Sequence, residues 1–158
     1  MPLDPARFRS ALGRFASGVT VLTMRDAEGK DHGMTATAFS SLSLDPPLVL
    51  VCIDKAASMA GPLEGATHLA VNFLSVDQEE LSRRFAQKEV DRFDGTRVRR
   101  GMKGLPLLEG AIAHLECRIH ARHPGGDHTI IVAEVLDAAA HDGEPLVYHH
   151  GRYVKVRP

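Results

Sequence analysis

The sequence predicts a mainly β protein, an antiparallel barrel with two or three helices at its periphery. Residues 111–121 alternate between apolar and polar side chains, which is typical of a strand with one covered face and one solvated face. Six or more strands are predicted in total, because short β-branched or apolar runs recur between Gly, Asp and Pro turns. Strands and helices do not alternate as a doubly wound parallel sheet requires, so an antiparallel barrel is favoured.

The chain is expected to open with a helix followed by a β-hairpin. Asp4 can cap the first turn and Pro5 suits the first helical position, so the helix should begin there. Its apolar stripe consists of Phe8, Ala11, Leu12 and Phe15. Ser17-Gly18 is expected to stop the helix, residues 19–23 form a β-branched strand, and residues 26–29 turn the chain into the next strand.

Residues 32–47 combine hydroxyl groups with small side chains and lead directly into an apolar strand at residues 48–53. Glycine and alanine let a ligand come close to the backbone, and threonine and serine hydroxyls can donate to phosphate or carbonyl oxygens. A ligand-binding strand is therefore one interpretation of this stretch. An ordinary Thr- and Ser-rich edge strand with its turn is the other.

The middle of the chain is predicted to contain two helical segments, one strand and a loop. A short helical piece is expected to break near Gly61-Pro62, and residues 69–74 form a strand with an asparagine in its middle. Ser75 and Gln78 make a capping box for the helix that follows. The charged, glycine-rich residues 87–110 are predicted to form a mobile loop, with its basic cluster in solvent or, alternatively, on a phosphate.

Strands dominate the last third of the chain. The alternation at residues 111–121 places alanines, Leu, Cys and Ile on one face, and histidines, Glu and Arg on the other. A Gly-Gly-Asp-His turn at residues 125–128 leads into an apolar strand at residues 129–135. Residues 148–156 close the chain with a strand-like run around a glycine.

The composition is that of one ordinary globular domain, residues 1–158. Hydrophobic residues make up 44% and charged residues 25%, and the net charge of -1 leaves no electrostatic footprint for nucleic acid or an anionic membrane. No run approaches the roughly 18 apolar residues of a membrane span, and the N-terminus lacks an apolar signal core. The two cysteines form neither a CxxC pair nor a disulfide framework, so we expect a cytoplasmic protein.

Nine histidines raise the hypothesis of a metal site, which strand parity argues against. Cys117 and His120 lie three residues apart and point to opposite faces of an extended strand, so they cannot share a tetrahedral ion. His149 and His150 are separated in the same way. No metal is therefore predicted.

The common nucleotide and nucleophile motifs, GxGxxG, GxxxxGK[ST] and GxSxG, do not occur. Three features remain without an explanation in packing: the hydroxyl-rich stretch, the strand end at Asn72–Ser75 with the helix that carries Ser82, and the Gly126-Asp127-His128 turn. Each has a structural alternative, as a strand edge, a surface helix residue or an Asp-supported turn histidine.

Together these features resemble the short-chain flavin reductases, the NAD(P)H:flavin oxidoreductase components of two-component flavin monooxygenases. The resemblance covers nearly the whole chain, in order, and its segments are 15–23, 33–39, Pro46-Pro47, 72–74, 81–86 and 126–129. It implies a flavin-reductase-like split β-barrel of Greek-key type and a homodimer with an FMN or FAD site near the dimer interface. NADH or NADPH would be the reductant, and a separate oxygenase component would receive the reduced flavin.

The resemblance also implies which residues bind the flavin. The segment along the isoalloxazine ring and ribityl chain is Met34, Thr35, Ala36 and Thr37, with Ser41 nearby. The residues reaching toward the phosphate or adenylate are Lys55 and Ser58. The strand whose backbone borders the ring supplies Asn72, Phe73 and Leu74, and the helix that holds the phosphate end supplies Ser82, Arg84, Phe85 and Ala86.

The nicotinamide nucleotide is expected to dock at His128, the one residue assigned a catalytic role, where Asp127 would fix its tautomer or aid its protonation. His150 and Tyr153 lie in a segment expected to close over that nucleotide. Flavin and nicotinamide carry the redox chemistry themselves, so the protein needs no nucleophile or metal and supplies stacking, orientation and exclusion of water.

Two other functions remain open from the sequence. The same barrel could act with a bound flavin on another acceptor, such as a corrinoid or a pyridoxine-type compound. It could also be a non-enzymatic flavin-binding redox module. The Gly-Asp-His turn favours the flavin reductase, because a protein that only holds flavin needs no nicotinamide histidine.

Overall fold

The fold is built from twelve strands and three short helices, and a computed structural model describes residues 1–157. The helices are α1 (Pro5–Leu12), α2 (Ala60–Glu64) and α3 (Glu79–Ala86). The strands are β1 (Ser17–Gly18), β2 (Thr20–Arg25), β3 (Asp31–Ala36), β4 (Phe39–Ser43), β5 (Leu48–Asp54), β6 (His68–Phe73), β7 (Val98–Arg100), β8 (Pro106–Leu108), β9 (Ala113–Gly125), β10 (His128–Ala140), β11 (Val147–His149) and β12 (Arg152–Val154).

Seven strands form the main sheet in the order β3-β2-β6-β9-β10-β5-β4, and all of its pairs are antiparallel. Strands distant in sequence become neighbours at β2–β6 and β5–β10, as Greek-key connections require. Strands β1, β11 and β12 form a second sheet, and β7 pairs with β8 in a hairpin. The predicted mainly β, antiparallel split barrel with few helices is confirmed.

Six strands of the main sheet share one apolar core, which shows that the sheet is curled around it. The core side chains on these strands are Leu22, Met24, Ala36, Val49, Val51, Ile53, Leu69, Val71, Cys117, Ile131 and Ala133. Met59 and Leu63, beside and within α2, close one side of this core. The rings of Phe39 and Phe73 pack against this core and meet edge to face with their centroids 5.1 Å apart.

The segment predicted as a mobile loop, residues 87–110, forms no helix or strand over residues 87–97, but the prediction is wrong from residue 98 onward. Its second half folds into the β7–β8 hairpin, and Leu105, Leu107 and Leu108 are buried there. Four buried side chains of the barrel bind the backbone of this hairpin, through hydrogen bonds of 2.6 to 2.9 Å: Thr23 Oγ1 to Pro106 O, Asn72 Oδ1 to Leu108 N, His114 Nε2 to Leu108 O, and Glu116 Oε1 to Met102 N.

The hairpin also corrects the expected solvent face of β9. His114 and Glu116 were expected in solvent but are only 4% and 8% exposed, because the hairpin covers them. Beyond the hairpin, Arg118 and His120 are exposed as the alternation predicts. The strand was predicted correctly, and the covering of its polar face was not.

Two of the four local signals at helix ends are confirmed. The expected stop of the first helix at Ser17-Gly18 is wrong, because α1 ends at Leu12 and Ser17–Gly18 form β1. The Asp4 side chain accepts a hydrogen bond from the Ala6 amide at 3.2 Å and caps α1, and the Ser75–Gln78 capping box is present. The expected break at Gly61-Pro62 is wrong, because α2 runs through both residues. Proline is tolerated there because the first turn of a helix leaves its amides without intrahelical partners. No helix within residues 1–157 is long and apolar enough to cross a membrane.

Candidate flavin and nicotinamide site

The hydroxyl-rich stretch, residues 32–47, contributes to strands β3 and β4 and to the short exposed connection between them. Met34, Thr35 and Ala36 lie on β3, whereas Thr37 lies in this connection and is exposed. Thr37 lines a cleft of about 240 Å³ together with Thr20, Phe39 and Phe73. The cleft suits a flat aromatic ring with a polar edge, because the two phenyl rings offer an apolar wall and Thr37 an exposed hydroxyl.

A larger cleft, of about 680 Å³, lies against the other end of β3. Its walls are residues 30–33, Ser58-Met59 and residues 89–93. Ser58, predicted for the flavin phosphate end, is exposed in this cleft, whereas Ser41 is exposed on the edge strand β4. Strand β3 lines the larger cleft through residues 31–33, and Thr37, which directly follows β3, lines the smaller cleft.

Three of the predicted residues are joined by hydrogen bonds. The hydroxyl of Thr35 donates to the Ser82 carbonyl at 2.6 Å, and the Ser82 hydroxyl lies 2.7 Å from the Tyr153 hydroxyl. Tyr153 is further held by the Tyr148 ring, 5.3 Å away centroid to centroid, and by the guanidinium of Arg83, 4.8 Å above its ring. These contacts fix strand β12 against α3 and β3. The buried Ser82 hydroxyl forms its hydrogen bond with the Tyr153 hydroxyl.

The side chains of three predicted residues lie in the protein interior: Asn72, Leu74 and Phe85. The Asn72 amide donates to Val21 O at 2.9 Å and to Thr23 Oγ1 at 3.1 Å, and its oxygen accepts from the Leu108 amide. In this segment, Phe73 is the residue whose ring lines the smaller cleft. Ala86 is exposed where α3 ends.

Arg84, expected at the phosphate end of the flavin, makes two hydrogen bonds to backbone. Its Nε donates to the Arg92 carbonyl and its Nη2 to the Asp91 carbonyl, both at 3.0 Å. The side chain therefore holds the loop after α3. The sequence does not single out Arg92. Its guanidinium donates to the Gly33 carbonyl on β3, and a hydrogen bond to a backbone carbonyl leaves no pattern in the sequence.

His128 and Lys55 meet at one end of the barrel. His128 begins β10 opposite Asp54, the last residue of β5, and the Lys55 amide donates to the Asp127 carbonyl at 2.9 Å. The Nδ1 atom of His128 lies 2.7 Å from Asp127 Oδ1. This hydrogen bond, with the charge of His128 as a second cause, lowers the pKa of Asp127.

The ionised Asp127 selects the tautomer of His128. A carboxylate only accepts, so Nδ1 carries the proton and Nε2 is directed away from Asp127. Asp127 is largely exposed and the His128 side chain is 39% exposed, so a ligand can reach this pair.

His150 lies in the turn between β11 and β12. It has a φ of 52° and Gly151 has a φ of 73°, the left-handed pair of a tight hairpin turn. The His150 amide donates to the Gly13 carbonyl at 2.8 Å, which joins this turn to the end of α1. The predicted residues thus fall mainly into two groups: one around β3, α3 and the C-terminal hairpin, joined through Ser82, and one at the barrel end at His128.

Comparison with known proteins agrees with the fold described above. The family model of the flavin reductase like domain matches residues 12–157. An NADH-dependent flavin reductase from Rhodococcus sp is 46% identical over 155 residues, covering 96% of this chain and 86% of that protein. The reductase component of a 4-nitrophenol 4-monooxygenase/4-nitrocatechol 2-monooxygenase from Rhodococcus opacus is 41% identical over 152 residues, covering 96% and 81%.

Among solved structures, the NADH:FAD oxidoreductase SgcE6 of Streptomyces globisporus, in complex with NAD and FAD fragments, superimposes with a TM-score of 0.93. It is 40% identical, and the match covers 100% of this chain and 98% of that one. Sequence and structure therefore match along the whole length. The chain belongs to the flavin reductase-like domain family.

Proposed function

We propose that this protein is an NADH-dependent flavin reductase that reduces FMN or FAD and supplies the reduced flavin to a separate monooxygenase component. The observation that carries the proposal is the full-length match to an NADH:FAD oxidoreductase whose structure contains NAD and FAD fragments. The relative from Rhodococcus opacus, a monooxygenase reductase component, supports the oxygenase partner. None of these names points to a corrinoid or pyridoxine-type acceptor, or to a module without catalysis.

The residues of the smaller cleft would hold the ring of the flavin. Phe39 and Phe73 would pack against it, and Thr37 with the neighbouring backbone would donate to its polar edge. When bound, the flavin supplies the redox chemistry by accepting hydride from the nicotinamide. The hydrogen bonds from Thr35 to Ser82 and between Ser82 and Tyr153 hold β3, the strand that leads to Thr37, against α3 and β12.

His128 would orient the nicotinamide nucleotide. Its Nε2 is directed away from Asp127 and is exposed enough to meet a ligand. The neighbouring carboxylate holds the Nδ1 proton of His128, so Nε2 is the ring atom that can form a hydrogen bond with the nucleotide. His128 is therefore assigned to binding and orientation of NADH.

We also propose a homodimer. Phe8, Leu12 and Phe15 are 50%, 57% and 82% exposed on α1 and the turn after it. A contiguous apolar surface of this kind marks an interaction site. The cleft of about 240 Å³ in one chain is also smaller than the roughly 300–1,000 Å³ of most ligand sites, as expected if a second copy completes it.

The function is tested by mixing the purified protein with NADH, adding free FMN or FAD, and following the loss of NADH absorbance. Oxidation should rise and saturate with added flavin. Oxidation that requires a further acceptor, or tight flavin binding without NADH oxidation, would contradict the proposal and favour one of the two other functions.

Replacement of His128 by Ala separates the two substrates. The KM for NADH should rise about tenfold, because one charge-assisted hydrogen bond is worth about 1.5–3 kcal/mol, while flavin affinity stays within about twofold. His123→Ala, a change at an exposed histidine of β9, serves as the control and should alter neither. A collapse of flavin binding in His128→Ala would show that the assignment to NADH is wrong.

A further inference from the structure

Two arginines hold residues 87–93, called here the α3 loop, against the barrel. Arg84 donates from α3 to the carbonyls of Asp91 and Arg92. Arg92 donates in the opposite direction, from Nη1 to the Gly33 carbonyl at 2.6 Å and from Nε and Nη2 to the Gln87 carbonyl at 2.9 and 2.7 Å. Since β3 is an edge of the main sheet, Arg92 binds the α3 loop directly to that edge.

Apolar packing also holds the α3 loop against β3. The ring of Phe93, at the end of the α3 loop, meets the ring of Phe85 edge to face with centroids 5.0 Å apart. Both rings press on Gly33, where a Cβ atom would lie 2.6 Å from Phe85 and 3.1 Å from Phe93. Only glycine therefore lets β3, α3 and the α3 loop approach this closely.

The α3 loop forms one wall of the larger cleft. Residues 89–93 line it together with Ser58-Met59 and residues 30–33, and β3 runs from there to Thr37 in the smaller cleft. The shape of the larger cleft therefore depends on where the two arginines place the loop. A displaced loop would alter the space available to a ligand that extends from Thr37 past Gly33.

We infer that Arg84 and Arg92 are positioning residues for flavin binding, which act by holding the α3 loop as the wall of the larger cleft. This rests on the proposed function. A guanidinium forms a planar fork that can bond two carbonyls at once, whereas a lysine ammonium is a point charge on a flexible stem. Lysine nevertheless binds phosphate well. Arg→Lys replacements therefore separate a role in holding the loop from direct attraction of the flavin phosphate.

The test uses Arg84→Lys, Arg92→Lys and the double variant, with the exposed Lys88→Gln as a control that removes a cation from the same loop. Two measurements are made on each protein. Amide hydrogen exchange of residues 87–93 is followed without flavin, and the KM values for FMN and NADH are determined. A thermal melt confirms that each variant is folded.

Each single variant should speed exchange in the α3 loop and raise the KM for FMN about tenfold, with the KM for NADH within about twofold. The double variant should be little worse than the worse single variant, because both residues serve one contact. Lys88→Gln should behave as the unaltered protein.

Three results would overturn the inference: a raised KM for FMN with unchanged loop exchange, faster exchange with an unchanged KM for FMN, or additive losses in the double variant. If the unaltered protein does not reduce flavin with NADH, the proposed function fails instead. The exchange measurement still decides whether the arginines hold the loop.

Discussion

The carboxamide of Asn72 is completely buried and makes three hydrogen bonds, two to β2 and one to the β7–β8 hairpin. Each bond adds only about 1 kcal/mol net to stability. The loss is larger when the side chain is removed, because the Leu108 amide then loses its partner in the protein interior, at a cost of about 1–3 kcal/mol. Asn72 is therefore central to the connection between barrel and hairpin.

Replacement of Asn72 by Ala should lower the free energy of unfolding by about 3–4 kcal/mol, measured by urea denaturation with a common slope. Ser40→Ala is the control. The Ser40 hydroxyl is exposed and donates only to a neighbouring carbonyl, so this change should stay within about 0.5 kcal/mol. Reduced flavin affinity at unchanged stability would instead mean that the Asn72 side chain contacts the ligand.

At the scale of elements, the β7–β8 hairpin covers part of the polar face of β9 and so buries His114 and Glu116. His114 donates through Nε2 to Leu108 O, and among residues 1–157 its buried Nδ1 has no partner. Burial is the main cause that lowers the pKa of His114, and the charges of Arg99 and His141 act in the same direction. The bond to Leu108 O and the charge of Glu116 oppose them without reversing the shift.

The lowered pKa of His114 predicts a loss of stability in mild acid. Above about pH 6.5 the histidine is neutral in both states, so its contribution is complete. As pH falls from there through the folded-state pKa, the unfolded chain binds the proton first and unfolding is favoured. Urea denaturation should therefore show a smaller free energy of unfolding at about pH 5.5 than at about pH 7.5.

His114→Gln should reduce this pH dependence, because an amide can still donate toward Leu108 O but does not titrate. Some pH dependence should remain, since burial also lowers the pKa of His68. His123→Gln, a change at an exposed residue, is the control. An unchanged pH dependence in His114→Gln would show that other groups carry it.

The hairpin also marks how far the sequence predicts the fold. The strand at residues 111–121 follows from local alternation, and the capping box at Ser75 follows from local spacing. The burial of His114 and Glu116 by the hairpin does not follow from such local signals. It depends on leucines that lie among the charged residues and glycines of residues 97–108. In the same way, the bonds of Arg84 and Arg92 to carbonyls leave no residue pattern. The predicted site residues Thr37, Phe73 and His128, by contrast, lie where a ligand can reach them.

At the scale of the whole molecule, α1 stands apart from the barrel. It has eight residues and none is buried, although the His150 amide ties its end at Gly13. Isolated helices shorter than about 12–15 residues are marginal in water, so a helix of this length needs a surface to pack against. The exposed Phe8, Leu12 and Phe15 are the side chains that such a surface would cover.

A second copy of the chain is expected to provide that surface. Light scattering after size-exclusion chromatography should therefore give a mass of twice 17.2 kDa for the unaltered protein. The double change Leu12→Asp and Phe15→Asp should give the single mass, because charges cannot be buried in an apolar interface without several kcal/mol of desolvation. Ser10→Asp, a change at an exposed polar residue of α1, should leave the mass unchanged. A monomeric unaltered protein, or a doubly changed protein that keeps the larger mass, would remove α1 from the interface. If the second copy also completes the smaller cleft, the monomeric variant should lose flavin affinity while the barrel core, to which α1 contributes no residue, stays folded.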